Sequence, residues 1–356
     1  MPAFPAVPAT PALLVDRDVL DRNIARMADA ARTRGVALRP HAKTHKCVEI
    51  ARRQLAAGAV GLTVATVSEA EVFADAGFRD LFVAYPLWTD AARGARLRAL
   101  AAEVRLTVGV DSAEGARALA EHARPGLTVL VEVDSGHHRT GVAPERAGSV
   151  AVAAASVGLE VRGVFTFPGH SYGPGRPAVA ATDEAAALSR AVAALEATGH
   201  DAEVISGGST PTAHLDVPAA TELRPGVYVF GDAQQLELGT IDEDAIALTA
   251  LATVVSARDD TVVLDAGSKV LGADRAPWAT GYGRILGAPD ARIVALSEHH
   301  ATVLWPDDSD RPTFGTRLRV IPNHVCSTVN LADDLTVVAG DTAVDRWAVA
   351  ARGRNT

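Results

Sequence analysis

Residues 39–46 read RPHAKTHK and directly follow the apolar run GVAL at residues 35–38. The apolar run predicts a short strand and a helical pattern begins near Lys46, so Lys43 is expected at a strand end. Two imidazoles and a second ammonium lie within three residues of Lys43. A lysine whose pKa is lowered by such neighbours or by burial can form a Schiff base. A solvated basic turn explains the same residues, and the rest of the chain has to decide between the two interpretations.

Short apolar runs alternate with amphipathic patterns from about residue 16 to about residue 230. The first helix is expected at residues 16–34, and the helix after the second strand is expected to begin at Ser68, with Glu71 completing a capping box. The predicted strands are residues 36–39, 61–65, 81–84, 106–110, 127–133, 161–167, 203–206 and 221–224. About eight strands, each followed by a helix or a turn, indicate an α/β fold with a parallel (β/α)8 TIM-type barrel. A doubly wound open sheet is the alternative, but no G-x-G-x-x-G motif follows the first strand.

The pattern changes after about residue 245, where strands joined by turns predict an all-β domain. These strands are expected at residues 247–257, 261–265, 292–296, 301–304, 317–321 and 335–338. We therefore divide the chain into a barrel domain, residues 1–240, and a C-terminal β domain, residues 241–356. Residues 12–15 are apolar and precede the first helix, so the segment 1–15 could pair with the β domain.

Composition excludes several classes of protein. The 356 residues are 48% hydrophobic and 22% charged, which fits a soluble globular enzyme. A net charge of −9 without a basic stripe argues against binding to nucleic acids or anionic membranes. The chain has only two cysteines, which fits a reducing cytoplasm. Because the N-terminus lacks a basic region and no apolar run approaches ~20 residues, we expect neither a signal peptide nor a membrane span.

The strand ends of a barrel usually carry its chemistry, and five of them hold polar side chains here, the first of them Lys43. The loop SGGST begins at Ser206, and its glycines Gly207 and Gly208 would let backbone N–H groups approach an anion. An ordinary tight turn is the alternative, but barrels often bind phosphate after the seventh and eighth strands. A Schiff-base lysine and a phosphate loop at one barrel mouth suggest pyridoxal phosphate.

Two other strand ends supply candidate partners for such a cofactor. Arg139 lies in EVDSGHHRTGV at residues 132–142 and suits the pyridine nitrogen, a substrate carboxylate or a salt bridge at the barrel mouth. His170 and Tyr172 lie in the loop GHSYG at residues 169–173 and suit acid–base chemistry or contact with the ring.

A second concentration of chemistry is the motif PNHVC at residues 322–326. On a strand, His324 and Cys326 would point to the same face because they are two residues apart. An imidazole and a thiolate form a good zinc pair, and two protein ligands would leave positions for water and substrate, as in a catalytic site. A buried cysteine beside a hydrogen-bonded histidine is the alternative. Cys47 is expected to be ordinary core.

These motifs together resemble the family of D-threonine aldolase and D-serine dehydratase. The segments RPHAKTHK, EVDSGHHRTGV, GHSYG, SGGSTPT, ELRPGVYVF and PNHVC follow the order of that family over nearly the whole chain. The resemblance implies a fold-type III pyridoxal-phosphate enzyme related to alanine racemase, with Lys43 as the Schiff-base residue. It implies a phosphate site of Ser206, Gly207, Gly208 and Tyr228, a divalent metal on His324 and Cys326, and His170 near the β-oxygen of the substrate. Either Arg139 or Tyr172 would meet the ring nitrogen.

The resemblance also implies the reaction class, a lyase acting on D-amino acids with a β-hydroxyl group. In this family, H-x-C with zinc marks the dehydratases and H-x-D with harder ions such as Mn²⁺ marks the aldolases. Cys326 therefore favours Zn²⁺ over Mn²⁺ or Mg²⁺, and a D-serine or D-threo-3-hydroxyaspartate dehydratase over a D-threonine aldolase. An amino-acid racemase or a noncatalytic pyridoxal-phosphate-binding protein stays open as a different class. Related folds imply a homodimer, and the site is built either within one chain or across the dimer.

Overall fold

The computed structural model describes residues 8–124, 126–215, 217–306 and 311–356. The chain divides into two compact units. The barrel unit consists of Met27–Lys43, Ala51–Gly226 and Arg354–Thr356, and the β unit consists of the chain up to Arg26, Thr44–Ile50 and Val227–Gly353. The predicted division between residues 240 and 241 stays a prediction. The sequence also suggested that residues 1–15 pair with the β domain, and residues 1–7 of that segment lie outside the described ranges.

Seventeen strands and ten α-helices are formed by the described residues. The strands are β1 (Ala12–Asp16), β2 (Ala37–Leu38), β3 (Leu62–Val64), β4 (Asp80–Pro86), β5 (Arg105–Val110), β6 (Leu127–Glu132), β7 (Glu160–Phe165), β8 (Val204–Gly207), β9 (Glu222–Leu223), β10 (Leu248–Arg258), β11 (Thr261–Leu264), β12 (Gly283–Ile285), β13 (Ala288–Leu296), β14 (Ala301–Leu304), β15 (Arg317–Pro322), β16 (Asp334–Ala339) and β17 (Thr342–Ala348). The helices are α1 (Arg17–Thr33), α2 (Val48–Ala56), α3 (Val67–Asp75), α4 (Ala91–Glu103), α5 (Ala113–Ala123), α6 (Ala147–Ser156), α7 (Pro177–Glu196), α8 (Ala233–Glu237), α9 (Ser268–Leu271) and α10 (Val325–Leu331). None of these helices is long and apolar enough to cross a membrane.

The barrel unit is a parallel sheet of eight strands in the order β2-β9-β8-β7-β6-β5-β4-β3. A parallel bridge between His41 and Thr63 joins the two ends of this sheet, with a hydrogen bond of 2.9 Å from the Thr63 amide to the Pro40 carbonyl. The predicted (β/α)8 barrel is therefore confirmed. Its interior is packed with buried side chains, among which Phe82 and Phe165 meet edge to face with 5.0 Å between ring centroids.

The β unit contains a nine-stranded sheet in which β10 to β15 close into an antiparallel barrel, because β10 also pairs with β11. This barrel confirms the prediction that the C-terminal part of the chain folds as β-structure. Strand β1 pairs antiparallel with β10 and parallel with β16, so an N-terminal strand lies inside the sheet built by the C-terminal residues. Leu14, Leu251 and Val338 form a buried apolar cluster across these three strands.

The capping box predicted at Ser68 and Glu71 is wrong, because α3 begins earlier. Thr66 caps the helix by accepting a hydrogen bond of 3.0 Å from the Glu69 amide. The Glu69 carboxylate in turn accepts from the Ala65 amide at 2.7 Å. Ser68 and Glu71 instead share the guanidinium of a residue on the next helix, Arg96 on α4. Strands β12 and β17 are also structural features that the pattern did not predict.

Candidate functional site

The loops after β6 and β7, together with the turn after β2, bring several predicted site residues of the barrel unit around one aromatic ring, that of Phe167. Lys43 Nζ lies 5.4 Å from the centroid of this ring, and Arg139 Cζ lies 5.2 Å from it. The ring of Tyr172 lies 6.2 Å from it between centroids. Cations at such distances from an aromatic face are attracted by its quadrupole. The structure thus places Lys43, Arg139 and Tyr172 together at the strand ends, as the sequence predicted for a barrel mouth.

His170 lies in the same loop region and is paired with a carboxylate. Its Nε2 atom is 3.2 Å from Asp183 Oδ2 on α7, and its buried Nδ1 atom has no hydrogen-bond partner within the described part of the chain. A second imidazole, His137, stands perpendicular to the Phe167 ring at 5.5 Å. Burial, with the charges of Arg139 and His170, lowers the pKa of His137. Two imidazoles with different environments therefore accompany Lys43 at the barrel mouth.

Gly169 leaves room for the ring of His137. A Cβ atom at Gly169 would lie 2.6 Å from the His137 ring, which is closer than side chains approach one another. The glycine in the GHSYG loop therefore lets the loop after β7 pass against His137. Phe167 and His137 were not assigned roles from the sequence, although both lie at strand ends, where barrels place functional groups.

The SGGST loop is held from inside the barrel unit by a buried carboxylate, Glu184 on α7. The Gly208 amide donates a hydrogen bond to Glu184 Oε1, and a Cβ atom at Gly207 would lie 2.2 Å from the same oxygen. Burial raises the pKa of Glu184 to about 7, against the opposing effects of the Gly208 amide and Arg224. The two glycines thus allow close approach of a carboxylate, and their role toward a phosphate stays a prediction.

Ser206 belongs to a buried polar layer beneath that loop. Its hydroxyl donates to Glu222 Oε1 at 2.7 Å and accepts from Arg224 Nε at 2.8 Å. Arg224 also donates to the Thr166 carbonyl. Burial raises the pKa of the neighbouring Glu132 to about 7. These contacts occupy the Ser206 hydroxyl within the barrel, and its assignment to a cofactor phosphate also stays a prediction.

The groups at Phe167 fit the cofactor that the sequence predicts. Lys43 supplies an amine and Arg139 a fixed positive charge, and Tyr172 adds an aromatic hydroxyl. An amine can form a Schiff base with an aldehyde and a positive charge attracts an anion, so these residues fit an anionic aromatic aldehyde such as pyridoxal phosphate.

The H-x-C motif lies in the β unit, after the end of a strand, so the shared face that a strand would give its two side chains does not apply. Strand β15 ends at Pro322, and His324 is the residue that precedes helix α10. The residues between the strand and the helix turn the chain, so Cys326 belongs to the first turn of the helix. Its thiol donates to Thr44 Oγ1 at 3.3 Å. Tyr228, predicted as a phosphate ligand, is buried in the short 3-10 turn Val227–Val229 of the same unit.

The imidazole of His324 is partly buried, with 23% of the side chain exposed, and it interacts with Cys326 and Asp232. Burial lowers the pKa of His324, but Cys326 and Asp232 outweigh it and hold the pKa well above its ordinary value. Its Nδ1 atom is buried and lies 3.4 Å from Asp232 Oδ2. No group of three or more His, Cys, Asp and Glu side chains in the described ranges could hold a metal ion. The imidazole and thiol fit a two-ligand site for a borderline-soft ion such as Zn²⁺.

Two protein-family models match the chain. The model described as alanine racemase, N-terminal domain, matches residues 15–234, and the model described as putative serine dehydratase domain matches residues 247–338. The first match alone covers more than half of the chain.

Three relatives match along nearly the full length. The chain is 34% identical to the D-threo-3-hydroxyaspartate dehydratase of Delftia sp. (strain HT23), over 95% of this chain and 96% of that protein. It is 34% identical to a D-threonine aldolase of Arthrobacter sp., over 99% of this chain and 96% of that protein. It is 28% identical to a D-serine dehydratase of Dictyostelium discoideum, over 94% of this chain and 94% of that protein. The solved structure of the Delftia dehydratase has a TM-score of 0.89 at 33% identity, covering 96% of this chain and 98% of that chain. The chain therefore belongs to the alanine racemase-like family that includes the D-threonine aldolases and D-serine dehydratases.

Proposed function

We propose that this protein is a lyase that depends on pyridoxal phosphate and a divalent metal, and that it dehydrates D-serine or D-threo-3-hydroxyaspartate to a 2-oxo acid and ammonia. The observation that carries the proposal is the cluster of Lys43, Arg139 and Tyr172 around Phe167. The full-length relatives are dehydratases and an aldolase by name, which supports the same class of reaction.

Each residue of the cluster has a role in this proposal. Lys43 holds the cofactor, and its free amine then removes the α-proton of the substrate. Arg139 and Tyr172 hold the cofactor ring or the substrate carboxylate by charge and hydrogen bonding. His170, paired with Asp183, acts as the general acid or base at the β-oxygen of the substrate.

Two bound groups supply the remaining chemistry. Pyridoxal phosphate, when bound, withdraws electrons from the α-carbon of the substrate. His324 and Cys326 would hold a divalent ion, which we propose to be Zn²⁺ and which would supply Lewis-acid assistance to the departure of the β-hydroxyl. The thiol of Cys326 supports the choice of zinc, because thiolates prefer softer ions.

D-threonine aldolase activity is the second candidate. It is favoured by 34% identity to the Arthrobacter aldolase over 99% of this chain. The same residues would then deprotonate the β-hydroxyl, and the Cα–Cβ bond would break to give glycine and an aldehyde. The two reactions differ in the bond that breaks, so their products distinguish them.

Product analysis tests the proposal directly. We expect the purified protein with its cofactor to release ammonia and a 2-oxo acid from D-serine or D-threo-3-hydroxyaspartate. Glycine and an aldehyde from D-threonine would establish the aldolase instead, and formation of the L-isomer would establish a racemase. Lys43→Ala should lose both turnover and the visible absorbance of the bound cofactor, whereas Lys269→Ala, on an exposed side chain paired with Glu298, should keep both. Absence of cofactor absorbance in the wild-type protein would refute the proposal.

The metal is tested by comparing the two cysteines. We expect Cys326→Ala to lose bound zinc and dehydration while it keeps the cofactor absorbance. Cys47→Ala is the control, because the Cys47 thiol is buried and donates to Glu49 at 3.2 Å. Zinc content is measured by elemental analysis. Retention of both zinc and turnover in Cys326→Ala, or full activity after verified metal removal, would contradict the ligand assignment.

A further inference from the structure

Asp232 is a fully buried carboxylate that joins two helix starts of the β unit. Its Oδ1 atom accepts a hydrogen bond of 3.0 Å from the Gln235 amide and so caps α8. Its Oδ2 atom accepts one of 3.2 Å from the Val325 amide at the start of α10, and it lies 3.4 Å from His324 Nδ1. Both oxygens are therefore committed, and the second one faces the imidazole of the H-x-C motif.

We infer that Asp232 is a positioning residue, whose carboxylate accepts the Nδ1–H of His324 and leaves Nε2 of that ring as the ligand for a divalent cation. The inference rests on the proposed metal dependence and adds a residue to that site. Neither the motif nor its spacing pointed to Asp232, which lies 93 residues before Val325 in the sequence.

The burial of Asp232 supports a specific role rather than a capping role alone. A cap needs one oxygen, and caps are usually exposed to water. Moving a carboxylate out of water costs several kcal/mol, by order of magnitude, unless other groups compensate for the loss. The Val325 amide and the His324 imidazole are the compensating groups at the second oxygen.

The position of His324 supports the same role from the side of the imidazole. Its Nδ1 atom is buried and has no hydrogen bond to any described residue, and the Asp232 carboxylate is already within ion-pair distance. A buried donor without an acceptor is costly, so a short rotation of the ring toward Oδ2 would be favourable. A histidine that donates one ring N–H to a carboxylate has a fixed tautomer and is a more basic ligand through its other nitrogen.

Zinc affinity tests this role without reference to turnover. The protein with its cofactor is stripped of metal, and Zn²⁺ is titrated against a chromophoric chelator. We expect Asp232→Asn to bind Zn²⁺ roughly 10–100-fold more weakly than the wild type, as for other carboxylates that support metal-binding histidines. The cofactor absorbance and the far-UV circular dichroism should be unchanged. The control is Asp90→Asn, which removes the charge of an exposed cap on α4 and should leave zinc affinity unchanged.

Several outcomes separate this inference from the proposed function. If the wild type binds Zn²⁺ and Asp232→Asn binds it equally well, the role of Asp232 is refuted and the metal site stands. If the wild type binds no Zn²⁺, the metal dependence itself fails and the inference falls with it. Should Asp232→Asn not fold, the ring tautomer in the zinc-bound wild type decides by ¹⁵N NMR, with His324→Gln used to assign the signal. Protonated Nδ1 is expected, and metal-bound Nδ1 would overturn the inference.

Discussion

At the scale of single residues, Glu184 is a buried acid whose titration we expect to affect stability. Burial raises its pKa from 4.5 to about 7 in the folded protein. The folded state then keeps a proton that the unfolded chain has lost, so the free energy of unfolding falls as the pH rises from about 4.5 to about 7. We expect Glu184→Gln to remove the share of this decrease in the free energy of unfolding that Glu184 causes, because the amide carries no charge. The amide oxygen can still accept a hydrogen bond from the Gly208 amide. Thermal unfolding of both proteins at about pH 5 and about pH 8 measures the difference.

The control for Glu184 lies on the same helix. Glu196 is exposed at the end of α7, so Glu196→Gln should leave the pH dependence of the thermal midpoint as in the wild type. Glu132, whose pKa burial also raises to about 7, titrates equally in all three proteins and does not affect the comparison. An unchanged pH dependence in Glu184→Gln would contradict the titration of this carboxyl group.

At the scale of elements, the residue that caps α3 also forms a hydrogen bond with the C-terminal segment at Arg354. The Thr66 hydroxyl accepts from the Glu69 amide and donates to the Arg354 carbonyl at 2.7 Å. Thr66→Ala removes both contacts, and we expect it to lower the free energy of unfolding by about 1–2 kcal/mol, the upper part of the range for lost caps. Thr66→Ser keeps a hydroxyl and should lose much less. Urea denaturation measures both variants.

The cap of α5 provides the matched comparison. Ser112 accepts from the Gly115 amide at 3.1 Å, a local contact within its own helix start. Ser112→Ala should therefore lower the free energy of unfolding by less than Thr66→Ala does. Equal losses would mean that the contact with Arg354 contributes nothing.

The same elements show how far sequence could predict the fold. Alternating runs predicted the barrel because parallel strands and their helices have distinct periods. The cap of α3 was misplaced because both Thr66–Glu69 and Ser68–Glu71 match the capping-box pattern, and Arg96, a residue of another helix, occupies the second pair. The end of β15 was predicted to within one residue, but the helix α10 that begins at Val325 was not, so the shared face that a strand would give His324 and Cys326 does not apply.

The candidate site likewise contains residues that the sequence pattern suggested and residues that it did not. Lys43, Arg139 and Tyr172 were proposed because barrels place chemistry at strand ends, which a sequence shows as polar residues after apolar runs, and the structure brings the three together around Phe167. Asp183 and Asp232 were not predicted, because each lies beside a histidine that belongs to a different element. A carboxylate of this kind has no pattern of its own in the sequence, and only the fold brings it to its partner.

At the scale of the whole molecule, the β unit is built from both ends of the chain, and β1 is the connection. The order β10-β1-β16-β17 means that β16 and β17 reach the rest of the sheet through β1. Leu14 packs there against Leu251 and Val338. We expect Leu14→Ala to cost about 2–5 kcal/mol in the free energy of unfolding, as for other buried leucines.

The position of β1 also predicts where this loss is felt. In the described part of the chain, β16 and β17 pair with the rest of the sheet through β1 alone. Hydrogen exchange in Leu14→Ala should therefore speed up more for their amides than for those of β12 to β14. Val344→Ala on β17 is the control, since its side chain is 37% exposed and should change neither stability nor exchange in β1 and β16 beyond small effects. Mass spectrometry of exchanged peptides measures these rates. A uniform increase over all strands would mean that the sheet opens as one unit and that β1 does not control the attachment of the last two strands.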